Sequence, residues 1–227
     1  MGEKLSLILK NPRLILACKG LFLGALLYFF MGQRGWFAGV LYVGAAGLFY
    51  FQPLFNTAAY LPLFIGTVLL SLWTAFAGMV YPFVFAVIFA GVFAVILGAK
   101  NLILTQRASW ARASAYTLSY VCLLLFFMVG MGGVFLFSWG ALMLLLGLFW
   151  QAVIPDRVLL APALVVVGEL AWVVSWLPIG FLSSANLVFL ALLFMGDGCV
   201  EGRYSPKHLF VFAGLIAVVL MSSYWRL

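Results

Sequence analysis

At 227 residues, with 67% apolar side chains, 7% charged ones and a formal net charge of +7, the chain is not a water-soluble domain: 17 charged side chains, 12 basic and 5 acidic, are too few to cover a folded surface of that size. Lipid must be its main solvent. In hydrocarbon the backbone has to satisfy its own hydrogen bonds, and continuous apolar runs without strand-like alternation select helices over a closed barrel.

Glu3, Lys4, Lys10 and Arg13 precede a first apolar run, Leu14 to Met31. This resembles the charged and apolar parts of a signal peptide, but no small-residue cleavage site follows, so an uncleaved helix is expected. Further spans are expected at Trp36 to Phe51, Ala58 to Gly78, Tyr81 to Gly98, Ala113 to Gly130, Val134 to Ile154, Val158 to Leu177, Ser184 to Met195 and His208 to Trp225. That gives nine, or eight if the runs flanking Gly130 to Gly133 merge. Most are close to the ~20 residues that cross a ~30 Å core, whereas Ser184 to Met195 is short. The fold class that follows is all-α, a polytopic transmembrane helix bundle. It forms one integral membrane domain over residues 1–227: helices one to four over about 14–98, a basic loop at 99–112 and helices five to nine over about 113–225.

Charge orients the bundle. With the amino terminus cytoplasmic, Lys4, Lys10, Arg13, Lys100, Arg107, Arg112, Arg157, Arg203 and Lys207 fall inside and only Arg34 and Arg226 outside. Short retained loops carry such an excess of Lys and Arg, which supports this orientation, and the small size, short loops and charge distribution look like those of a bacterial cytoplasmic (inner) membrane protein. The same cations are scattered singly and make no basic face for nucleic acid. Within the loop from Lys100 to Arg112, Leu102, Ile103, Leu104 and Trp110 beside basic residues suggest a segment lying on the inner membrane surface. No internal repeat of the kind found in many transporters is visible.

Glu169 is the polar residue most out of place. Its segment is otherwise apolar from Pro162 to Leu177, and its position puts it roughly 16 Å from the inner end at about 1.5 Å per residue. An ionised carboxylate at such a depth costs at least a few kcal/mol, so it should be protonated, paired or facing a wet cavity. A protonatable acid there can relay protons or bind a cation, or it can serve as interhelical glue. Lys19 is the obvious counter-ion, yet it lies only about 7 Å into its span and is expected to reach back to the interface. Thr67 and Ser71, at a depth closer to that of Glu169, are candidate hydrogen-bond partners.

A second cluster runs from Gly196 through Asp197, Glu201 and Arg203 to His208. Glycines on both sides of Asp197 favour a bend, and an early helix end beside these charges would make an ion or head-group site at the inner surface, or simply an inner turn. As the single histidine, His208 cannot build a His-based metal site or bis-histidine haem ligation. Cys18, Cys122 and Cys199 lie toward the reducing side, where a disulfide framework is not expected. Phosphate-binding loop, metalloprotease helix and nucleophile elbow are all missing, so no cofactor, metal or catalytic residue is assigned. The pairs Gly20 and Gly24, Gly35 and Gly39, and Ala94 and Gly98 have the spacing that lets membrane helices approach closely.

Three functions are compatible with this pattern. The leading one is a non-enzymatic membrane component or assembly subunit, its surroundings the lipid bilayer and its partner another membrane protein or a second copy. An alternative is a small proton- or cation-coupled transporter or channel using Glu169. A second alternative is an enzyme acting on lipid or polyprenyl head groups from the cytoplasmic face through Asp197, Glu201 and Arg203.

Overall fold

A computed structural model describes residues 11–33, 35–52, 57–78, 81–129, 135–154, 157–177, 179–201 and 206–224. Among these residues there are nine helices and no strand: α1 Pro12–Gln33, α2 Trp36–Phe51, α3 Thr57–Ala77, α4 Pro82–Lys100, α5 Arg107–Val129, α6 Phe135–Trp150, α7 Arg157–Ser175, α8 Phe181–Glu201 and α9 Pro206–Tyr224. Five contain stretches long and apolar enough to cross a membrane: Pro12–Gln33, Ala58–Ala77, Pro82–Lys100, Arg107–Val129 and Val158–Ser175. The chain is an all-helical, multi-pass membrane protein. The described residues of α5 end at Val129 and those of α6 begin at Phe135, and residues 130–134, on which the choice between eight and nine segments turns, lie outside the described residues.

Two helices depart from the sequence expectation. The eighth, expected to be short, has 21 residues and continues through Gly196, Asp197 and Gly198 to Glu201, where a bend was expected. Packing explains why glycine is tolerated there: a Cβ on Gly196 would lie 2.5 Å from the Tyr116 hydroxyl of α5. The cost of a helical glycine, about 1 kcal/mol, is set against that close approach. The fifth helix starts at Arg107, six residues before the apolar run, so the second half of the proposed surface segment, with Trp110, is the first turns of α5, while Leu102, Ile103 and Leu104 precede it.

The chain divides into two compact units, Met1–Ser114 and Ala115–Leu227. In the first, α1 packs most extensively against α4, and also against α2 and α3. Small residues cause this. A Cβ on Gly20 would fall 2.7 Å from the Ala90 carbonyl oxygen and 2.9 Å from the Ala94 Cβ, and one on Gly24 would fall 2.7 Å from the Ala90 Cβ. Without side chains there, the backbones can touch, which is how membrane helices gain dispersion energy when lipid is as apolar as leucine. Gly39 of α2 seats the Phe30 ring of α1, and Gly35 faces open space. The core is aromatic: Tyr50 stacks on Phe64 at 4.1 Å between centroids, while Phe93 meets both Phe64 and Tyr42 edge-on.

The end of α4 is closed by a 6→1 hydrogen bond from the Ile103 N–H to the Gly98 carbonyl, 3.0 Å, with Leu102 at φ 62. This is the helix-ending arrangement in which glycine usually occupies the left-handed position. Leu104 folds back over Gly98, where Leu16 of α1 also packs.

In the second unit α6 packs on α7, α7 on α8 and α8 on α9. Helix α5 joins through the Tyr120 hydroxyl, which donates to Asn186 Oδ1 of α8 at 2.8 Å, and through Tyr120 against the Phe189 ring.

Candidate functional site

Helix α7 has two different faces although nearly every residue on it is apolar. Leu160, Ala163, Val167, Ala171 and Val174 are buried, and Gly168 lies with them. Pro162, Val165, Val166, Glu169 and Val173 are exposed. The rotation that sorts them is set by α6. A Cβ on Gly168 would meet Met143 Sδ at 2.6 Å and Trp139 Cζ2 at 3.2 Å, so only glycine lets α6 come this close. The Trp139 indole N–H donates to the Gly168 carbonyl at 3.3 Å, and its ring meets Trp172 edge-on at 6.4 Å. With Gly168 held inward, the next residue is turned by about 100° of helix rotation, and Glu169 stands on the exposed face of α7 in the second unit.

The depth of Glu169 follows from the helix bounds. Twelve residues separate it from Arg157 and six from Ser175, or about 18 Å and 9 Å at 1.5 Å per residue. Because helical side chains lean toward the amino-terminal end, its carboxyl group lies on the deeper side of its own Cα. A carboxyl group on an outer, otherwise apolar face, well inside the span, is the least expected chemistry in the chain. It is the only acid whose side chain is described.

Lys19, Thr67 and Ser71 belong to the first unit and Glu169 to the second. Lys19 Nζ lies 5.3 Å from the Phe49 ring centroid, a cation–π contact near one end of α1. Thr67 and Ser71 lie one turn apart on α3, fully buried, and both are already engaged. Thr67 donates to the Leu63 carbonyl at 2.6 Å and Ser71 to the Val68 carbonyl at 2.7 Å. With the Ser71 proton used in this way, the Tyr42 hydroxyl of α2 is the donor in its 2.7 Å contact with Ser71 Oγ. Thr74 extends the row by donating to the Ser71 carbonyl. The Tyr42–Ser71 contact ties α2 to α3, and the other hydroxyls are satisfied within α3, in an apolar interior where an unpaired one would be costly.

Asp197 and Glu201 fall on the last turns of α8 and His208 on the first turn of α9. Their side chains, and Arg203 altogether, lie outside the described residues. Trp36, Trp110 and Trp176 are exposed near helix ends, as membrane-interface anchors are, and Trp139 binds α7.

Sequence reasoning placed Lys100 in a connector. It is the last residue of α4 and is fully buried, its ammonium group donating to the Tyr50 carbonyl at the end of α2 and standing 5.0 Å from the Tyr50 ring centroid. The carbonyls of a last helical turn have no partner within the helix and carry the negative end of its dipole, so a cation from the neighbouring helix is a fitting cap. The signal was there: Phe89, Phe93, Ile96 and Lys100 follow one another at helical spacing on the buried face. The contacts also bring the beginning of α1 and the ends of α2 and α4 to one side, as up-and-down threading requires.

Compared with protein families, with curated proteins and with solved structures, the chain matches none.

Proposed function

We propose that this multi-pass membrane protein is a non-enzymatic assembly subunit that binds a second membrane protein through the outer face of α7, with Glu169 as the polar contact. The observation that carries the reading is the exposure of Glu169 among Val165, Val166 and Val173. A carboxyl group facing lipid at this depth is costly, and covering it with a partner helix that presents a cation or hydrogen-bond donor removes most of the cost. Among the described residues, the basic ones lie within about two turns of a helix end. A different protein therefore supplies the complement more readily than a second copy does. An outward acid fits such a contact better than it fits a conduit through the bundle. The amino terminus is taken as cytoplasmic on the nine-to-two split of basic residues, and the membrane as a bacterial inner membrane on the small size, short loops and charge distribution of the chain.

Site-directed photo-crosslinking in cells tests the proposal. A benzophenone side chain at Val166 or Val173 is expected to capture one protein of a size other than a dimer of this chain, and Glu169→Leu should abolish the adduct. Capture of a second copy would replace the partner with a homo-oligomer. Adducts with lipid alone at both positions would overturn the assembly reading.

A further inference from the structure

The close approach of α1 and α4 leaves a trough along one flank of their contact. It encloses about 780 Å³ and its floor is made of small side chains, Ala17 and Ala25 from α1 with Ala90, Gly91 and Ala94 from α4. From Ala17 to Tyr28 it runs about 16 Å at ~1.5 Å per residue. At its far end Tyr28 and Phe83 meet edge-on, their centroids 6.2 Å apart at 87°, and close it. At the near end, Arg13 stands one helical turn below Ala17 on the same face of α1, exposed. The Arg13 backbone N–H is already taken by Asn11 Oδ1 at 3.1 Å, so the guanidinium is what this end offers to a ligand.

Shape and charge select the occupant. The trough runs along the contact of two helices over a floor of small side chains, a shape that a single flexible chain fills along its length. The lining is almost entirely apolar, which excludes a polar solute. The first 114 residues contain eight basic residues and one acid, Glu3, so a ligand headgroup at this end meets a positive field. We infer that the trough is a binding site for an acyl chain of an anionic phospholipid whose phosphate is held by Arg13. The chain fills space that would otherwise lack dispersion partners, and the guanidinium supplies preference for a negative headgroup.

The test uses nanodiscs containing phosphatidylglycerol or phosphatidylcholine with a photoactivatable diazirine in the acyl chain, followed by peptide mapping. With the wild-type protein, adducts should concentrate on peptides covering residues 17–28 and 83–94, and phosphatidylglycerol should label them about fivefold more than phosphatidylcholine, the ratio expected of about 1 kcal/mol from one basic residue. A Cβ added at Gly91 would have no neighbour within 4 Å, so Gly91→Leu fills the trough without pressing on the α1–α4 contact and removes a helical glycine. It should cut labelling of those two segments at least fivefold while labelling of α2 is unchanged. Arg13→Gln should erase the headgroup preference and leave phosphatidylcholine labelling as it was. Labelling spread evenly over all lipid-facing helices, or insensitive to Gly91→Leu, would overturn the site. Equal labelling by both lipids in the wild type would overturn the role of Arg13.

Discussion

Trp139 donates its indole N–H to the main-chain carbonyl of Gly168 at 3.3 Å, one residue before Glu169. The contact fixes the rotation of α7 and with it the direction of the acid. Glu169 is thus turned outward by a glycine that admits α6, not by any feature of its own.

Replacing that glycine should be costly. Gly168→Val drives a side chain into Met143 and Trp139 and is expected to destabilise the protein by about 1–3 kcal/mol, the range for overpacking. Gly140→Val on α6 meets nothing within 4 Å and should leave stability nearly unchanged. Thermal unfolding of the two variants in the same detergent checks the difference.

Tyr42 and Ser71 form a buried pair whose protons are fully assigned, Tyr42 to Ser71 Oγ and Ser71 to the Val68 carbonyl. Ser71→Ala leaves the phenol without an acceptor and is expected to cost about 1–2 kcal/mol. Combined with Tyr42→Phe, the loss should be smaller than the sum by about 0.5–1 kcal/mol, a coupling of the size found between membrane helices. A double-mutant cycle by chemical denaturation in mixed micelles measures it, and strict additivity would contradict the contact.

Lys100 reaches a carbonyl and a ring of the same residue, Tyr50, and the two parts can be separated. Tyr50→Leu keeps the carbonyl and removes the ring, and should cost less than Lys100→Met, which takes the cation away from the Tyr50 carbonyl and from the ring together. Lys100→Glu sets a negative charge against the negative end of a helix and is expected to prevent accumulation of folded protein. Yield and monodispersity on gel filtration report all three.

Leu102 occupies the left-handed position after α4 at φ 62. A non-glycine residue there is strained by about 1–2 kcal/mol, and its side chain is 55% exposed. Leu102→Gly should therefore stabilise the protein by about 1 kcal/mol, read as a rise in melting temperature. A fall would mean that the Leu102 side chain contributes more than the backbone strain costs.

The helical membrane fold was legible because hydrocarbon allows the backbone few alternatives, and every expected span lies on a helix or overlaps one. Helix ends were less legible. The turn from Arg107 to Arg112 and the Gly-Asp-Gly step of α8 are polar or glycine-rich, so hydropathy gives no reason to continue a helix through them; neighbours such as Tyr116 do. The depth of Glu169 could be estimated by counting residues, but its direction could not. On a segment apolar all round, no periodicity distinguishes lipid from protein, and the distinction lies in Trp139 and Met143 some 25 positions earlier. Lys100 was misread for the opposite reason: a lysine after an apolar run resembles a connector, and only its register with Phe89, Phe93 and Ile96 shows that it turns inward.

The most direct test is the surroundings of position 169. Nitroxide labels placed singly at residues 163–167 and 169–174 of a cysteine-free protein, purified without partners and reconstituted in bilayers, should show oxygen accessibility with helical period. Accessibility should be high at 165, 166, 169 and 173 and low at 163, 167, 171 and 174, with little exposure to a water-soluble nickel reagent at 169. Low oxygen accessibility at 169 would place the acid inside the bundle, and strong nickel exposure would place it in a water-filled path. Either result would contradict an outward acid awaiting a partner.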